Sequence, residues 1–336
     1  MRAVVCLEPG KLALADRPLP AAREGWIAID INSVGVCGTD FHIFEGTHPY
    51  LQYPRVMGHE LSAVVAAGSG NARLPPGTRV VVNPYLYCGT CIACRKGRFN
   101  CCMVLQCLGV HVDGGMCERI VMPEGNLYAA GNLGLRDAAM VEFLAIGAHA
   151  VRRSRTGRGE RALVVGMGPI GIGTAIFARA AGADVTIMDL SENRLDWCRD
   201  RLGFAGRILG GKDARAEDGR RTGGEFYDVV FKATGSARAV EASLYLVAHT
   251  GTLMLVGVLN ADLTFADAEL HKREISILAS RNALHADFDQ VVASILDGTV
   301  PTSELNTHTA RLSDLPEAMP AWLAAKELPV KAILTI

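Results

Sequence analysis

The sequence predicts an α/β protein with a β-rich first part and a second part organised around a parallel sheet. Two observations support this prediction. Short β-like runs punctuated by glycine and proline fill the first hundred residues. After about residue 145, apolar runs alternate with helical segments, which is typical of parallel α/β sheets. The length of 336 residues also fits two domains of roughly 150 residues each.

The charge composition argues against proteins that bind nucleic acids or anionic membranes. Lys plus Arg number 34 and Asp plus Glu 35, so the net charge is −1. We therefore expect no nucleic-acid or membrane partner, because binders of such polyanions carry a basic excess. The N-terminus lacks a signal-peptide core, and no apolar run reaches the roughly 18 residues of a membrane helix. We expect a cytoplasmic protein, in which clustered cysteines more often bind metals than form disulfides.

The elements follow in order along the chain. In the first part, the predicted strands are 3–7, 26–31, 61–65 and 79–82, and they favour a barrel or sandwich. In the second part, the predicted strands are 161–165, 184–189, 228–232, 252–256 and 276–280, with a small-residue helix over 168–181. A helix over 288–297 and a closing strand over 331–336 complete the prediction.

A glycine-rich motif connects the first parallel strand to the small-residue helix. The motif consists of Gly166, Met167, Gly168, Pro169, Ile170 and Gly171. Its context predicts a dinucleotide site, because the glycines permit a tight turn and close approach of a pyrophosphate to the helix N-terminus. Asp189 lies 23 residues after Gly166, where a carboxylate binds the adenosine ribose. This acid favours NAD over NADP, although nearby Arg194 could tolerate the extra phosphate.

Six of the ten cysteines fall within twenty residues. Cys88, Cys91 and Cys94 are separated by two residues each, and Cys101 and Cys102 follow. Four thiolates from one short segment predict a closed, structural zinc site. Spacing alone leaves either Cys101 or Cys102 as the fourth ligand. The remaining cysteines, except Cys37, are expected to be ordinary buried residues: Cys6, Cys107, Cys117 and Cys198.

A second set of metal-ligand residue types is more dispersed. Cys37, His59 and Glu60 are residue types that zinc accepts, and Glu142 is an acid within an apolar stretch. A catalytic zinc keeps one position open for water or substrate. The spacing of these residues is compatible with such a site, but it is equally compatible with structural roles.

Together these motifs resemble the zinc-dependent medium-chain dehydrogenase/reductase family over essentially the whole chain. Segments 33–40, 53–60, 109–115 and 280–283 carry a closer similarity to its polyol and sugar-acid branch. That branch includes sorbitol dehydrogenases and L-galactonate or L-gulonate 5-dehydrogenase-like proteins. The resemblance implies a discontinuous GroES-like catalytic domain, residues 1–146 and 286–336, around a doubly wound Rossmann NAD-binding domain, residues 147–285. It also implies a homo-dimer or homo-tetramer.

The resemblance assigns roles residue by residue. It implies two zinc ions per chain, with Cys37, His59, Glu60 and Glu142 around the catalytic ion. Cys102, rather than Cys101, matches the fourth ligand of the structural ion. Thr39 and His42 match a proton relay, and Asp40 matches a group that orients the histidine ligand. The matching cofactor residues beyond the glycine motif are Asp189, Arg194, Thr234, Val256, Gly257 and Val258, and the matching substrate residues are Arg281 and Asn282.

The expected reaction is oxidation of a secondary alcohol of a sugar acid or polyol to a ketone, with NAD as the acceptor. Two positions depart from the family pattern: Phe143 replaces a proline, and Lys232 replaces an acid. Oxidation of a neutral polyol or of L-threonine is an alternative that uses the same residues. A non-catalytic, NAD-binding regulatory protein is an alternative of another class.

Overall fold

The computed structural model describes residues 1–48, 51–211, 213–325 and 329–336. Within these ranges the chain forms two compact units. The first unit comprises Met1–Glu142, Val292–Gly298 and Leu305–Ile336, and the second comprises Phe143–Val291 and Thr299–Glu304. The first unit is thus discontinuous in sequence. The domain boundaries at residues 146 and 286 stay a prediction.

The first unit is mainly β-structure. Its strands are β1 (Arg2–Glu8), β2 (Lys11–Asp16), β3 (Trp26–Val36), β4 (Arg55–Val56), β5 (Glu60–Val65), β6 (Arg79–Val82), β7 (Tyr85–Leu86), β8 (Gln106–Cys107), β9 (Arg119–Pro123), β10 (Leu127–Ala129), β17 (Asn306–Arg311) and β18 (Lys331–Thr335). Its helices are α1 (Gly38–Glu45), α2 (Ile92–Arg95), α3 (Leu135–Ala138) and α12 (Leu315–Ala324), and α4 (Val141–Ser154) begins in it.

Strand β3 organises the main sheet of this unit. The described strands pair in the order β10–β6–β5–β3–β18–β17, with β9 also on β3. Ile29, Leu61 and Leu334 contribute to a buried apolar core. The last strand, β18, therefore lies beside β3 and one strand away from β5, which begins at Glu60.

The second unit alternates strands and helices. Its strands are β11 (Arg161–Val165), β12 (Asp184–Asp189), β13 (Gly206–Leu209), β14 (Tyr227–Lys232), β15 (Val247–Leu255) and β16 (Ser276–Ala279). Its helices are α5 (Pro169–Ala180), α6 (Glu192–Leu202), α7 (Ala214–Thr222), α8 (Ala237–Ser243), α9 (Asp267–Arg273) and α11 (Thr302–Leu305), the last ending at the unit boundary, and it contains most of α10 (His285–Leu296).

The described strands of this unit form a parallel sheet in the order β13–β12–β11–β14–β15–β16. Strands β12 and β13 are added on one side of β11, and β14, β15 and β16 on the other, so the order of the strands reverses between β11 and β14. Dinucleotides bind at such a switch point, at the carboxyl ends of the strands. The prediction of a doubly wound parallel sheet is therefore confirmed.

Several strands differ from the sequence prediction, and β3 and β13 show the physical reasons. Strand β3 was expected to end at Ile31 but continues to Val36, because Ser33 and Gly35 pair with both β5 and β18. Strand β13 was not predicted at all. It is short and begins with Gly206, and its pairing with β12 rather than its own propensity makes it a strand.

Candidate metal centres and nucleotide site

Four thiols meet in the segment that joins β7 to β8. The Sγ atoms of Cys88, Cys91, Cys94 and Cys102 all lie within 4.8 Å of one another. The Cys91–Cys94 pair is 3.5 Å apart and the Cys88–Cys102 pair 3.6 Å, well beyond the ~2.05 Å of a disulfide. This arrangement suits a closed four-thiolate zinc site. Cys102 belongs to the group, whereas exposed Cys101 lies outside it.

Backbone amides favour the thiolate form within this group. The Cys91 amide donates to Cys88 Sγ at 3.4 Å, and the Cys88 amide donates to Cys102 Sγ at 3.3 Å. The amides of Thr90 and Cys91 lower the pKa of Cys88 to about 6. A deprotonated thiol is the form that binds a metal ion.

A second group of potential ligands lies where β3 ends and β5 begins. Ligand atoms of Cys37, His59 and Glu60 lie within 4.8 Å of one another. Cys37 is the N-cap of α1, and Gly35 pairs with Glu60 across the β3–β5 ladder. A Cβ atom on Gly35 would lie 2.1 Å from Glu60 Oε2. Glycine at position 35 therefore makes room for the Glu60 side chain.

The imidazole of His59 is buried in anionic surroundings. Among the described residues, its Nδ1 has no hydrogen-bond partner. Burial by itself lowers the pKa of His59, but the hydrogen bond and charge of Cys37 outweigh this and raise it well above its ordinary value. The surroundings thus favour a positive charge at this point, and an unpartnered buried nitrogen fits a metal ligand.

Asp40 is wholly buried on α1 and stabilises the backbone around the ligands. One carboxylate oxygen accepts from the Cys37 amide at 2.9 Å, and the other accepts from the Gly58 amide at 3.3 Å. Through Gly58, Asp40 fixes the residue that precedes His59. Asp40 thus lies beside His59, and its carboxylate is bonded to the backbone amides of Cys37 and Gly58.

The Glu60 carboxylate forms an ion pair with Lys331. Both carboxylate oxygens lie 2.7 Å from Lys331 Nζ, and both side chains are almost completely buried. Lys331 also donates to the Val36 carbonyl at 3.2 Å. Sequence reasoning missed Lys331, although a lysine in an otherwise apolar closing strand was the available signal.

Glu142 lies in the first turn of α4 and is also buried. The hydroxyl of Tyr85 donates a hydrogen bond to Glu142 Oε1. Among the described residues, Glu142 Oε2 has no partner. Burial raises the pKa of this carboxyl to about 7. Tyr85 is a second residue that sequence reasoning missed, since no motif marks it.

The two residues predicted for proton relay lie three positions apart on α1, hence on one face of the helix. Thr39 Oγ1 is 3.8 Å from Cys37 Sγ. His42 is exposed, and its Nδ1 lies 3.1 Å from Thr47 Oγ1. Thr39 is therefore next to a candidate metal ligand, while His42 faces solvent.

The glycine motif forms a tight turn between β11 and α5. Gly166 has φ +93°, and a Cβ atom on Gly171 would lie 1.8 Å from the Gly166 carbonyl oxygen. Gly168 is the N-cap of α5 and has open space where a Cβ would stand; Pro169 and Ile170 form the first turn. This geometry fits a pyrophosphate at a helix N-terminus.

Asp189 ends β12 beside this turn. Its Oδ2 accepts from the Met167 amide at 2.6 Å, and its Oδ1 accepts from the Ser191 amide at 2.9 Å. Each carboxylate oxygen has a further lone pair for a ribose hydroxyl. Arg194 is half-buried on the first turn of α6, five residues after Asp189.

The remaining predicted nucleotide residues follow β14 and β15. Val256 is buried, Val258 is exposed, and Gly257 packs so closely that a Cβ atom would lie 3.1 Å from the Thr234 carbonyl oxygen. Lys232, the departure from the family pattern, donates from Nζ to the Gly257 carbonyl at 2.7 Å. Its buried ammonium therefore holds this loop.

The two residues predicted for substrate follow β16. Arg281 is exposed, and Asn282 is half-buried with a left-handed backbone conformation, φ +51°. Phe143, the other departure, is buried beside Glu142 in the chain.

Known proteins match the chain along its length. The model of the alcohol dehydrogenase GroES-like domain matches residues 23–132, and that of the zinc-binding dehydrogenases matches residues 169–297. L-galactonate-5-dehydrogenase of Escherichia coli strain K12 is 36% identical and covers 100% of this chain and 99% of its own length. The chain belongs to the zinc-dependent medium-chain dehydrogenase/reductase family.

Other members of this dehydrogenase family are similar over nearly the same length. D-altritol 5-dehydrogenase of Agrobacterium fabrum strain C58 is 33% identical over 94% of each chain. A solved structure from Escherichia coli CFT073, described as a short-chain alcohol dehydrogenase complexed with NADH, superposes with a TM-score of 0.92. It is 26% identical and covers 100% of this chain and 99% of its own.

Membership confirms the resemblance found in the sequence, with its GroES-like and Rossmann folds. The protein is an oxidoreductase of the alcohol dehydrogenase type. In the part of the chain that the structure describes, no helix combines the length and apolar character needed to cross a membrane.

Proposed function

We propose that the protein is a zinc- and NAD-dependent dehydrogenase that oxidises a secondary alcohol of a sugar acid to a ketone, with L-galactonate or L-gulonate as the first candidates. The observation that carries the proposal is the group of Cys37, His59 and Glu60 within 4.8 Å. Within the described part of the chain, His59 Nδ1 and Glu142 Oε2 have no hydrogen-bond partner, and a catalytic metal would bind such atoms. The E. coli relative acts on L-galactonate, as its name states.

The residues divide into two metal sites. Cys37 and His59, with Glu60 or Glu142, would hold a catalytic zinc, and the thiols of Cys88, Cys91, Cys94 and Cys102 would hold a structural zinc. When bound, zinc would act as a Lewis acid toward the substrate hydroxyl, and NAD would accept the hydride. The balanced reaction converts a secondary alcohol and NAD⁺ to a ketone, NADH and a proton.

The chain itself provides the path for that proton. Thr39 Oγ1 would accept a hydrogen bond from the reacting hydroxyl and pass the proton toward the nicotinamide ribose and His42. His42 is exposed, so its imidazole can release the proton to solvent. Asp40 keeps Cys37 and His59 in place through their backbone neighbours.

Cofactor choice rests on Asp189. Its carboxylate would bind both hydroxyls of the adenosine ribose and repel a 2′-phosphate, so we propose NAD as the cofactor. The turn from Gly166 to Gly171 would receive the pyrophosphate, and Thr234 and the segment 256–258 would contact the remainder. Arg194, on the following helix, makes NADP the alternative to test.

Substrate choice rests on fewer residues. Arg281 and Asn282 would bind polar groups of the substrate, and a guanidinium pairs well with a carboxylate. The altritol-oxidising relative favours a neutral polyol as a second candidate, because D-altritol has no carboxylate.

The test is NADH formation by the purified holoenzyme, followed by absorbance, with aldonates, alditols and L-threonine. We expect the highest kcat/KM with an aldonate and NAD, and two zinc ions per chain. Cys37→Ser should abolish turnover and leave one zinc in a folded protein. Turnover only with a neutral polyol or threonine, or near-normal kcat in Cys37→Ser, would contradict the proposal.

We also propose that the enzyme acts in the cytoplasm as a homo-dimer or homo-tetramer. The ten cysteines, all free in the described structure, support a reducing compartment. Light scattering coupled to size exclusion tests the assembly, and a monomeric mass at micromolar concentration would contradict it.

A further inference from the structure

A chain of buried polar groups ends at the unexplained tyrosine of the first unit. The Asn83 side chain bonds to the Tyr128 hydroxyl at 2.9 Å and accepts from the Tyr85 amide at 3.0 Å. The Asn126 amide group donates to the Tyr85 carbonyl at 2.9 Å. All four residues are at most 9% exposed. The backbone of Tyr85 is therefore fixed on both sides by buried amides.

The hydroxyl of Tyr85 bonds to only one of the two carboxylate oxygens of Glu142. It donates to Glu142 Oε1, while Glu142 Oε2 has no partner among the residues that the structure describes. Glu142 is 2% exposed, so water does not readily satisfy this oxygen. A buried carboxylate oxygen without a partner is costly, and native proteins keep such a group where a ligand or ion completes it.

In the Glu60 carboxylate, by contrast, both oxygens have a bonding partner. Both oxygens of Glu60 lie 2.7 Å from the Lys331 ammonium, which compensates their charge. Glu60 lies nearer to Cys37 and His59, since only Glu60 shares the 4.8 Å group with them among the described residues. A phenol, unlike an ammonium, binds a carboxylate without neutralising it. Glu142 thus has no directly bonded cation among the described residues.

We propose that Tyr85 is a positioning residue for the catalytic metal, holding one oxygen of Glu142 so that the other serves as the carboxylate donor while Glu60 stays paired with Lys331. This inference rests on the proposed function, because it specifies which acid completes the site with Cys37 and His59. Partners of ligand residues that fix their orientation typically change metal affinity about 10- to 100-fold when removed.

The test compares Tyr85→Phe with the wild-type holoenzyme. We expect the more weakly held of the two zinc ions to be lost to a chelator at about 10- to 100-fold lower chelator concentration. The visible spectrum of cobalt placed in that site should also change, because the carboxylate donor moves. Tyr87→Phe is the matched control, since Tyr87 is exposed two residues further on and stacks on Phe99. It should leave zinc retention and the cobalt spectrum unchanged.

A second variant separates positioning from simple loss of stability. In a Glu142→Gln background, Tyr85→Phe should cause little further change in zinc affinity, because its effect passes through the carboxylate. An equal loss in both backgrounds, or wild-type affinity and spectrum in Tyr85→Phe, would overturn the inference. A wild-type protein that holds zinc only at the cysteine group would instead overturn the proposed function.

Discussion

Asp218 shows what burial does to a single ionisable residue. Its carboxylate lies inside the second unit, where Oδ1 accepts from the Tyr227 hydroxyl at 2.6 Å. Oδ2 has no partner among the described residues. Burial raises the pKa of Asp218 to about 6, and the neighbouring Glu217 charge adds to the rise. Folding therefore favours the protonated acid.

This shift predicts a pH-dependent stability. The raised pKa of Asp218 stabilises the folded state below about pH 4, and this contribution is lost as the pH rises to about 6. Asp218→Asn keeps a partner for Tyr227 but cannot ionise. It should raise the unfolding free energy at pH 7.5 by about 1–3 kcal/mol, and the gain should disappear toward pH 4.

Thermal unfolding across this pH range measures the effect. Asp262→Asn is the control, because Asp262 is exposed on the same unit. A constant stability difference between Asp218→Asn and wild type from pH 4 to 7.5 would contradict the assigned titration.

At the residue scale, the sequence predicted ligand types better than their partners. Cys37, His59 and Glu60 are brought together as expected. The partners Tyr85 and Lys331 were not predicted, because the contacts that define them join residues 57 and 271 positions apart in the chain. Such contacts depend on packing, which local spacing does not encode.

At the element scale, the cysteine segment between β7 and β8 contains adjacent thiols of which one belongs to the ligand group and the other does not. Cys102→Ser should lose one zinc and lower the thermal midpoint, because binding of a structural metal is coupled to local folding. Cys101→Ser is an adjacent control, since the Cys101 thiol lies outside the ligand group. Elemental analysis and thermal unfolding check both variants. Equal zinc content in the two would reject the assignment of Cys102.

The loop after β15 depends on a buried lysine. The backbone carbonyl of Lys232 accepts a hydrogen bond from the Gly257 amide, and its Nζ donates one to the Gly257 carbonyl. Burial lowers the pKa of Lys232, and no carboxylate pairs with it among the described residues. Two hydrogen bonds, one from the backbone and one from the side chain of Lys232, thus fix the position of Gly257 in the proposed nucleotide site.

Lys232→Met keeps the size of the side chain and removes its donor. We expect the Kd for NADH to rise about three- to tenfold, the effect of losing one buried hydrogen bond, with zinc content unchanged. Titration of NADH fluorescence measures this change. Lys272→Met, an exposed lysine of the same unit, is the control, and an unchanged Kd in Lys232→Met would argue against a positioning role.

At the scale of the whole chain, the Glu60–Lys331 pair joins the C-terminal strand to the middle of the main sheet. Removing one member of a buried ion pair leaves an uncompensated charge and typically costs about 3–5 kcal/mol. Lys331→Met should therefore lower the unfolding free energy of the first unit by about that amount. Denaturant unfolding followed by tryptophan fluorescence tests it, because Trp26 and Trp322 lie in this unit.

Two comparisons make this prediction specific. Lys11→Met breaks a surface pair with Glu8, whose side chains are more than 60% exposed, and should cost at most about 1 kcal/mol. The double variant Glu60→Gln/Lys331→Met should lose less stability than Lys331→Met alone, because no unpaired charge remains. A double variant as unstable as Lys331→Met would point to lost packing instead.

By itself, the sequence determined the α/β class, the thiol group and the nucleotide turn. These features depend on short-range geometry: thiols two residues apart can share one ion, and glycines shape a turn within six residues. Tertiary structure alone decided that β3 continues to Val36, and that Glu60 faces a lysine while Glu142 faces a tyrosine. The physical reason is that burial, ion pairing and strand pairing bring together residues that are distant in the chain, so the charge left on each carboxylate depends on neighbours that only folding supplies.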